Sequence, residues 1–125
     1  ANWSAEEGKS VFETMLKSSN NDIQLVFAQN DEMGLGAAQA AEEAGLVVGE
    51  DVKIATIDGT KNAMQALADG QLSYVHEYNP LFGETALEVV EKALAGEEVE
   101  SYIVVPSEAF DSAEAAQAVL ADRKY

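Results

Sequence analysis

The chain has 125 residues, 47% of them hydrophobic and 24% charged, a balance that suits one folded domain and argues against wholesale disorder. Its 23 acidic and 7 basic residues leave a net charge of −16, a field that repels phosphate backbones and anionic lipid and so disfavours nucleic-acid and membrane-surface partners. The lack of cysteine excludes disulfides, thiolate metal sites and cysteine nucleophiles, and no apolar run approaches the length of a membrane span.

Ala1-Asn2-Trp3-Ser4 does not read as a signal peptide and leads directly into a polar helical pattern. Ser4-Ala5-Glu6-Glu7 has capping-box spacing, which starts a helix whose buried stripe is expected at Val11, Phe12, Met15 and Leu16. Ser18 to Asp22 breaks it. Ile23 to Ala28 is a short apolar run that reads as a buried parallel strand. Asn30 and Asp31 can cap a second helix over 31–44, closed by Gly45. The cycle then repeats. A strand at Val52–Ile57 leads through Asp58-Gly59 to a helix containing Met64 and Leu67 and ending at Gly70. Leu72–Glu77 reads as a third strand, stopped by Asn79-Pro80. Leu87, Val90 and Leu94 mark a helix over 81–95, Tyr102–Pro106 reads as a fourth strand, and Ser112 can cap a last short helix. Strands alternating with helices predict an α/β fold with a mainly parallel sheet, flanking helices and right-handed crossovers.

In such sheets ligands collect outside the carboxyl ends of the strands. Asn30, Asp58, Glu77 and Tyr78 fall there, and an amide, two carboxylates and a phenol match several sugar hydroxyls, with Trp3 offering a flat apolar face. Each has a plainer reading: Asn30 as a helix cap, Asp58-Gly59 as a turn, Glu77 as a solvated strand end and Trp3 as packing. Gly34-Leu35-Gly36 begins like a dinucleotide fingerprint but lies within a helix and lacks the third glycine, so close helix–sheet approach explains it better. His76 is the only histidine, which excludes a histidine metal cluster. No G-x-S-x-G elbow or P-loop is present, so the sequence predicts no enzyme, no metal and no cofactor.

The run Val26-Phe27-Ala28-Gln29-Asn30-Asp31-Glu32-Met33-Gly34-Leu35-Gly36-Ala37 closely resembles the ribose-binding protein family of periplasmic pentose and hexose receptors. Ile57-Asp58-Gly59-Thr60, Ala68-Asp69-Gly70-Gln71-Leu72 and Glu77-Tyr78-Asn79-Pro80-Leu81-Phe82-Gly83 continue the likeness. The last of these looks closest to the galactofuranose- and fructose-type branch. The resemblance implies a periplasmic-binding-protein-like lobe in which Asn30 and Asp58 hydrogen-bond sugar hydroxyls and Trp3 stacks on the ring. Ribose and galactose binders carry an amide where this chain has Tyr78, so Glu77 becomes the preferred contact, Tyr78 the reserve, and ribose a disfavoured ligand.

The same likeness implies a C-terminal part of a two-lobed receptor. Residues 1–79 would belong to the second lobe, 80–106 would cross to the first, and 107–125 would return. A first lobe of the same protein and the permease subunits of an ABC transporter are the implied partners. The implied location is the periplasm, or the cell exterior as a lipoprotein. The effector-binding domain of a sugar-responsive LacI-type repressor shares the fold and is the alternative. A flavodoxin-like or phosphotransfer domain is a weaker one, since it needs a phosphate loop that is not evident. A half-cleft leaves one face of a sugar in water, so the isolated chain is expected to bind sugar weakly or not at all.

Overall fold

The computed structural model describes residues 1–125 and contains five helices and one four-stranded sheet. Helix α1 (Ala5–Ser18) starts where Ser4 Oγ accepts from the Glu7 amide. The reciprocal half of the expected capping box is not made. Glu7 instead takes the Asn2 side-chain amide at 2.9 Å, and the Ser4 amide donates to the Ala1 carbonyl. Strand β1 (Leu25–Phe27) leads to α2 (Asp31–Glu43), β2 (Lys53–Asp58), α3 (Lys61–Ala68) and β3 (Tyr74–Glu77). After α4 (Gly83–Leu94) come the two-residue β4 (Ala109–Phe110) and α5 (Ala113–Leu120).

The sheet runs β1-β2-β3-β4, with the first two pairings parallel and the last antiparallel. Two successive right-handed crossovers in one direction place α2 and α3 on the same face. Burial follows that geometry. Ile54, Thr56 and Val75 are sealed on the covered face, while Leu25 and Phe27, on edge strand β1, remain exposed. The expectation of a fully buried strand at Ile23–Ala28 is therefore corrected: an edge strand with helices on one side buries alternate residues only.

Gly34 and Gly36 explain how closely α2 is seated. A Cβ on Gly34 would lie 2.0 Å from Thr56 Cγ2 in β2, and one on Gly36 would lie 2.1 Å from the Ala5 carbonyl oxygen in α1. The first contact is the helix–sheet approach expected from sequence; the second locks α1 against α2. That lock sets the rotation of α1, burying Gly8, Phe12 and Leu16 at i, i+4 and i+8. Val11 and Met15, expected in the stripe, are turned to solvent beside Phe27.

The segment from Tyr78 to Glu108 departs from the body. Helix α4 has no buried residue, and Leu87, Val90 and Leu94 face solvent. Tyr102–Pro106 forms no strand, because no neighbouring strand offers it a hydrogen-bonding edge; Tyr102 is 80% exposed. The chain instead regains the sheet at β4, where the Glu77 amide donates to the Glu108 carbonyl and Phe110 enters the core. Helix α5 packs on α3 through the fully buried Ala116.

Candidate functional site

The carboxyl ends of β1, β2 and β3 carry the polar residues, and buried Asp31 ties the first two ends together. The carboxylate of Asp31 accepts from Thr56 Oγ1 at 2.6 Å, the Thr60 amide at 2.7 Å and Thr60 Oγ1 at 2.9 Å. Thr60 is also the N-cap of α3, so one carboxylate fixes the start of α2, the end of β2 and the start of α3.

Asn30 is a cap and something more. Its Oδ1 accepts from the Met33 amide at 3.0 Å, while Nδ2 donates to the Trp3 carbonyl at 3.2 Å. The second amide hydrogen has no protein acceptor. Asn2 and Trp3 both hold positive φ, 44° and 62°, and Trp3 is 63% exposed while its backbone carbonyl meets the Asn30 cap. Trp3 and Asn30 are thus brought together from opposite ends of α1 and β1.

Asp58 ends β2 at φ 129°, a strained setting for a residue with a side chain, and Gly59 follows at φ 81°. Asp58 is the last residue of β2 and no hydrogen-bonded turn forms at the pair; the chain passes straight into the lead of α3, with a half-buried carboxylate at the sheet edge. Burial pushes its pKa above the usual aspartate value, the Asp31 charge adds to the rise, and the Asp31 amide opposes it. The folded chain thus holds this proton more tightly than the unfolded chain, so ionised Asp58 opposes folding at neutral pH. The penalty is absent below the ordinary value of 3.8 and complete above the raised folded value. Asp58→Asn should therefore raise the urea midpoint at pH 7, and the gain should vanish as the pH falls toward 3.8. Urea titrations at several pH values read this directly.

Glu77 ends β3 only 7% exposed. Its Oε1 accepts from Arg123 Nη1 at 2.6 Å and from the Tyr125 hydroxyl at 2.5 Å, both on the C-terminal segment. The picture of Glu77 as a solvated strand end is thereby corrected: the carboxylate is buried and ion-paired. Tyr78 is 70% exposed, and its backbone amide donates to the Asp58 carbonyl. Its side chain borders a cleft of about 470 Å³ that also includes Glu77, Phe82, Tyr102 and Val104. The structure thus pairs Trp3 with Asn30 and sets the Asp58 and Glu77 strand ends side by side, with Tyr78 turned toward the departing segment.

Arg123, Tyr125 and Asp31 were not among the residues singled out from sequence as ligand contacts. Arg123 carries the one available signal, being the only arginine in a strongly acidic chain.

Parallel strands joined by helices, with an amide and carboxylates at the carboxyl edge, form an α/β unit of the kind found in periplasmic binding proteins. The family profile described as "Periplasmic binding protein domain" matches residues 1–98, and the chain belongs to that family. It is 54% identical over 120 residues to the fructose import binding protein FruE of Bifidobacterium longum, covering 95% of this chain and 36% of that protein. It is 37% identical over 92 residues to the galactofuranose-binding protein YtfQ of Escherichia coli, covering 72% of this chain and 29% of that one. A Mycobacterium smegmatis crystal structure in complex with β-D-fucofuranose superposes with a TM-score of 0.85 at 48% identity, covering 94% of this chain and 38% of the other. The chain therefore spans between a quarter and two fifths of the length of these relatives.

Proposed function

We propose that this chain is the sugar-facing part of the second lobe of an import receptor that captures a monosaccharide between two lobes and delivers it to ABC permease subunits. The observation that carries this reading is the grouping of Asn30 and Asp58 at the carboxyl edge of the sheet, with the exposed Trp3 tied to Asn30 through its backbone carbonyl. In this reading Asn30 and Asp58 bind hydroxyls, Trp3 stacks on the ring, Glu77 supplies a further acceptor, and Tyr78 closes the rim. The output is binding and hinge closure rather than catalysis.

Residues 1–79 form the lobe, 80–106 cross to a first lobe, and 107–125 return. Two observations support that division: α4 is bare of buried residues, and β4 rejoins the sheet antiparallel to β3. The likeness to a fructose import binding protein favours a receptor over a repressor, and with the periplasmic binding protein family match it supports work outside the cytoplasmic membrane. A hexose in furanose or ketose form is the ligand class these relatives suggest.

Native mass spectrometry of the chain with D-fructose, D-galactose and D-ribose tests the half-cleft reading. The expected result is the 13.3 kDa chain together with self-associated multiples formed through the bare α4 face, none of them carrying a sugar adduct. A stoichiometric adduct on the chain alone would show that one lobe suffices and overturn the proposed need for two.

A further inference from the structure

The C-terminal segment makes an arrangement that stability alone explains poorly. Arg123 is 91% buried by side chain, since its exposure is 9%, and so is its partner Glu77. Arg123 Nε donates to the Gly59 carbonyl at 2.6 Å, and the guanidinium lies over the rings of Tyr125 and Phe110 at 4.7 and 5.4 Å. Nη2 is buried without an acceptor, against Gly59, where an added Cβ would come within 2.4 Å. A buried ion pair with an orphaned donor is a weak stabiliser. It is, however, an effective way to aim a carboxylate.

Both donors converge on Oε1 of Glu77, and no protein donor reaches Oε2. The segment is fixed at its far end as well, because the Lys61 amide at the start of α3 donates to the Tyr125 carbonyl at 2.6 Å. Burial and the bond to Glu77 push the Tyr125 phenol up to about 12, so it stays a proton donor across the physiological range.

We propose that Arg123 and Tyr125 are positioning residues of the sugar site: by occupying Oε1 they orient the Glu77 carboxylate and reserve Oε2 for a ligand hydroxyl. This rests on the sugar-receptor reading above. It assigns the C-terminal segment, which sequence places outside every ligand-contact region, a direct hold on ligand geometry. A reserved, charged acceptor favours a sugar with a hydroxyl at that one place and discriminates against its deoxy analogue.

Calorimetric titration of the two-lobed protein with D-fructose tests this, using Tyr125→Phe, Arg123→Lys, Glu77→Gln and Tyr125→Phe combined with Glu77→Gln. Tyr125→Phe removes one donor and little volume, so folding is expected to survive, as thermal melting without sugar would verify. Tyr125→Phe and Arg123→Lys should each weaken binding about tenfold, as loss of a charged hydrogen bond does. In the Glu77→Gln background the effect of Tyr125→Phe should disappear, a non-additivity that a purely structural role would not produce. Wild-type affinity in both single variants, or losses that simply add to that of Glu77→Gln, would overturn the positioning role while leaving the receptor reading intact. If the wild-type protein bound none of D-fructose, D-galactose and D-ribose, the receptor reading would fail and the inference with it.

Discussion

Asp31→Ala is expected to lower the unfolding free energy by about 3 kcal/mol, a large share of the roughly 5–15 kcal/mol typical of a domain. Three donors converge on this fully buried carboxylate, and alanine would strand the Thr60 amide and the Thr56 and Thr60 hydroxyls together. The loss also releases the cap of α3, because Thr60 is its N-cap and Asp31 holds it. Asp31→Asn separates charge from hydrogen bonding. Its oxygen can face Thr60 while its amide donates to the Thr56 hydroxyl, which can accept. The expected cost is then only about 1 kcal/mol. Because the Asp31 charge helps to raise the Asp58 pKa, the asparagine variant should also lower that pKa. Urea denaturation gives the stabilities, and carboxyl-carbon NMR titration gives the shift.

Gly36→Ala should cost about 3 kcal/mol, at the upper end for overpacking by one methyl group. The added Cβ would sit 2.1 Å from the Ala5 carbonyl oxygen and 2.9 Å from the Lys9 amide nitrogen. Both neighbours are backbone, so no rotamer change relieves the clash and α1 must move off α2. That motion would drag Trp3 away from Asn30, because the hydrogen bond joining them runs to the Trp3 carbonyl just ahead of α1. Gly83→Ala is the control, since nothing lies within 4 Å of a Cβ there. It should be neutral or slightly stabilising, as reduced freedom of the unfolded chain favours alanine in a helix. Equal destabilisation by the two substitutions would show that the α1–α2 approach is not the constraint.

The alternation of strand and helix was legible because local signals agreed with the final packing. Ser4, Asn30, Thr60 and Ser112 each accept from the amide three residues on, and Gly45, Gly70 and Gly96 stand just past helices in positive φ. What sequence could not show was which faces would be covered. Val11, Met15, Leu25 and Phe27 have the pattern of core residues but lie beyond the last covering element. Tyr102–Pro106 has strand composition yet no partner edge, so the fourth strand falls at Ala109–Phe110, where β3 offers one. Propensity describes what a segment can do; pairing decides what it does.

The site divides along the same line. Asn30 and Asp58 sit at the ends of strongly patterned strands, so their place at the carboxyl edge followed from the alternation alone. The double use of Asn30 as cap and as anchor for Trp3 did not, because it depends on a contact across 27 positions. The hold of Arg123 and Tyr125 on Glu77 spans 46 and 48 positions and leaves no local pattern.

The most direct test of the receptor reading is a calorimetric titration of D-fructose into the two-lobed protein, its Asp58→Ala variant and the 125-residue chain alone. The expected result is saturable binding by the two-lobed protein, about tenfold or greater weakening in Asp58→Ala, and no binding by the lone chain at about millimolar sugar. Undiminished affinity in Asp58→Ala, or equal binding by the lone chain, would contradict a sugar held between two lobes at the carboxyl edge of this sheet.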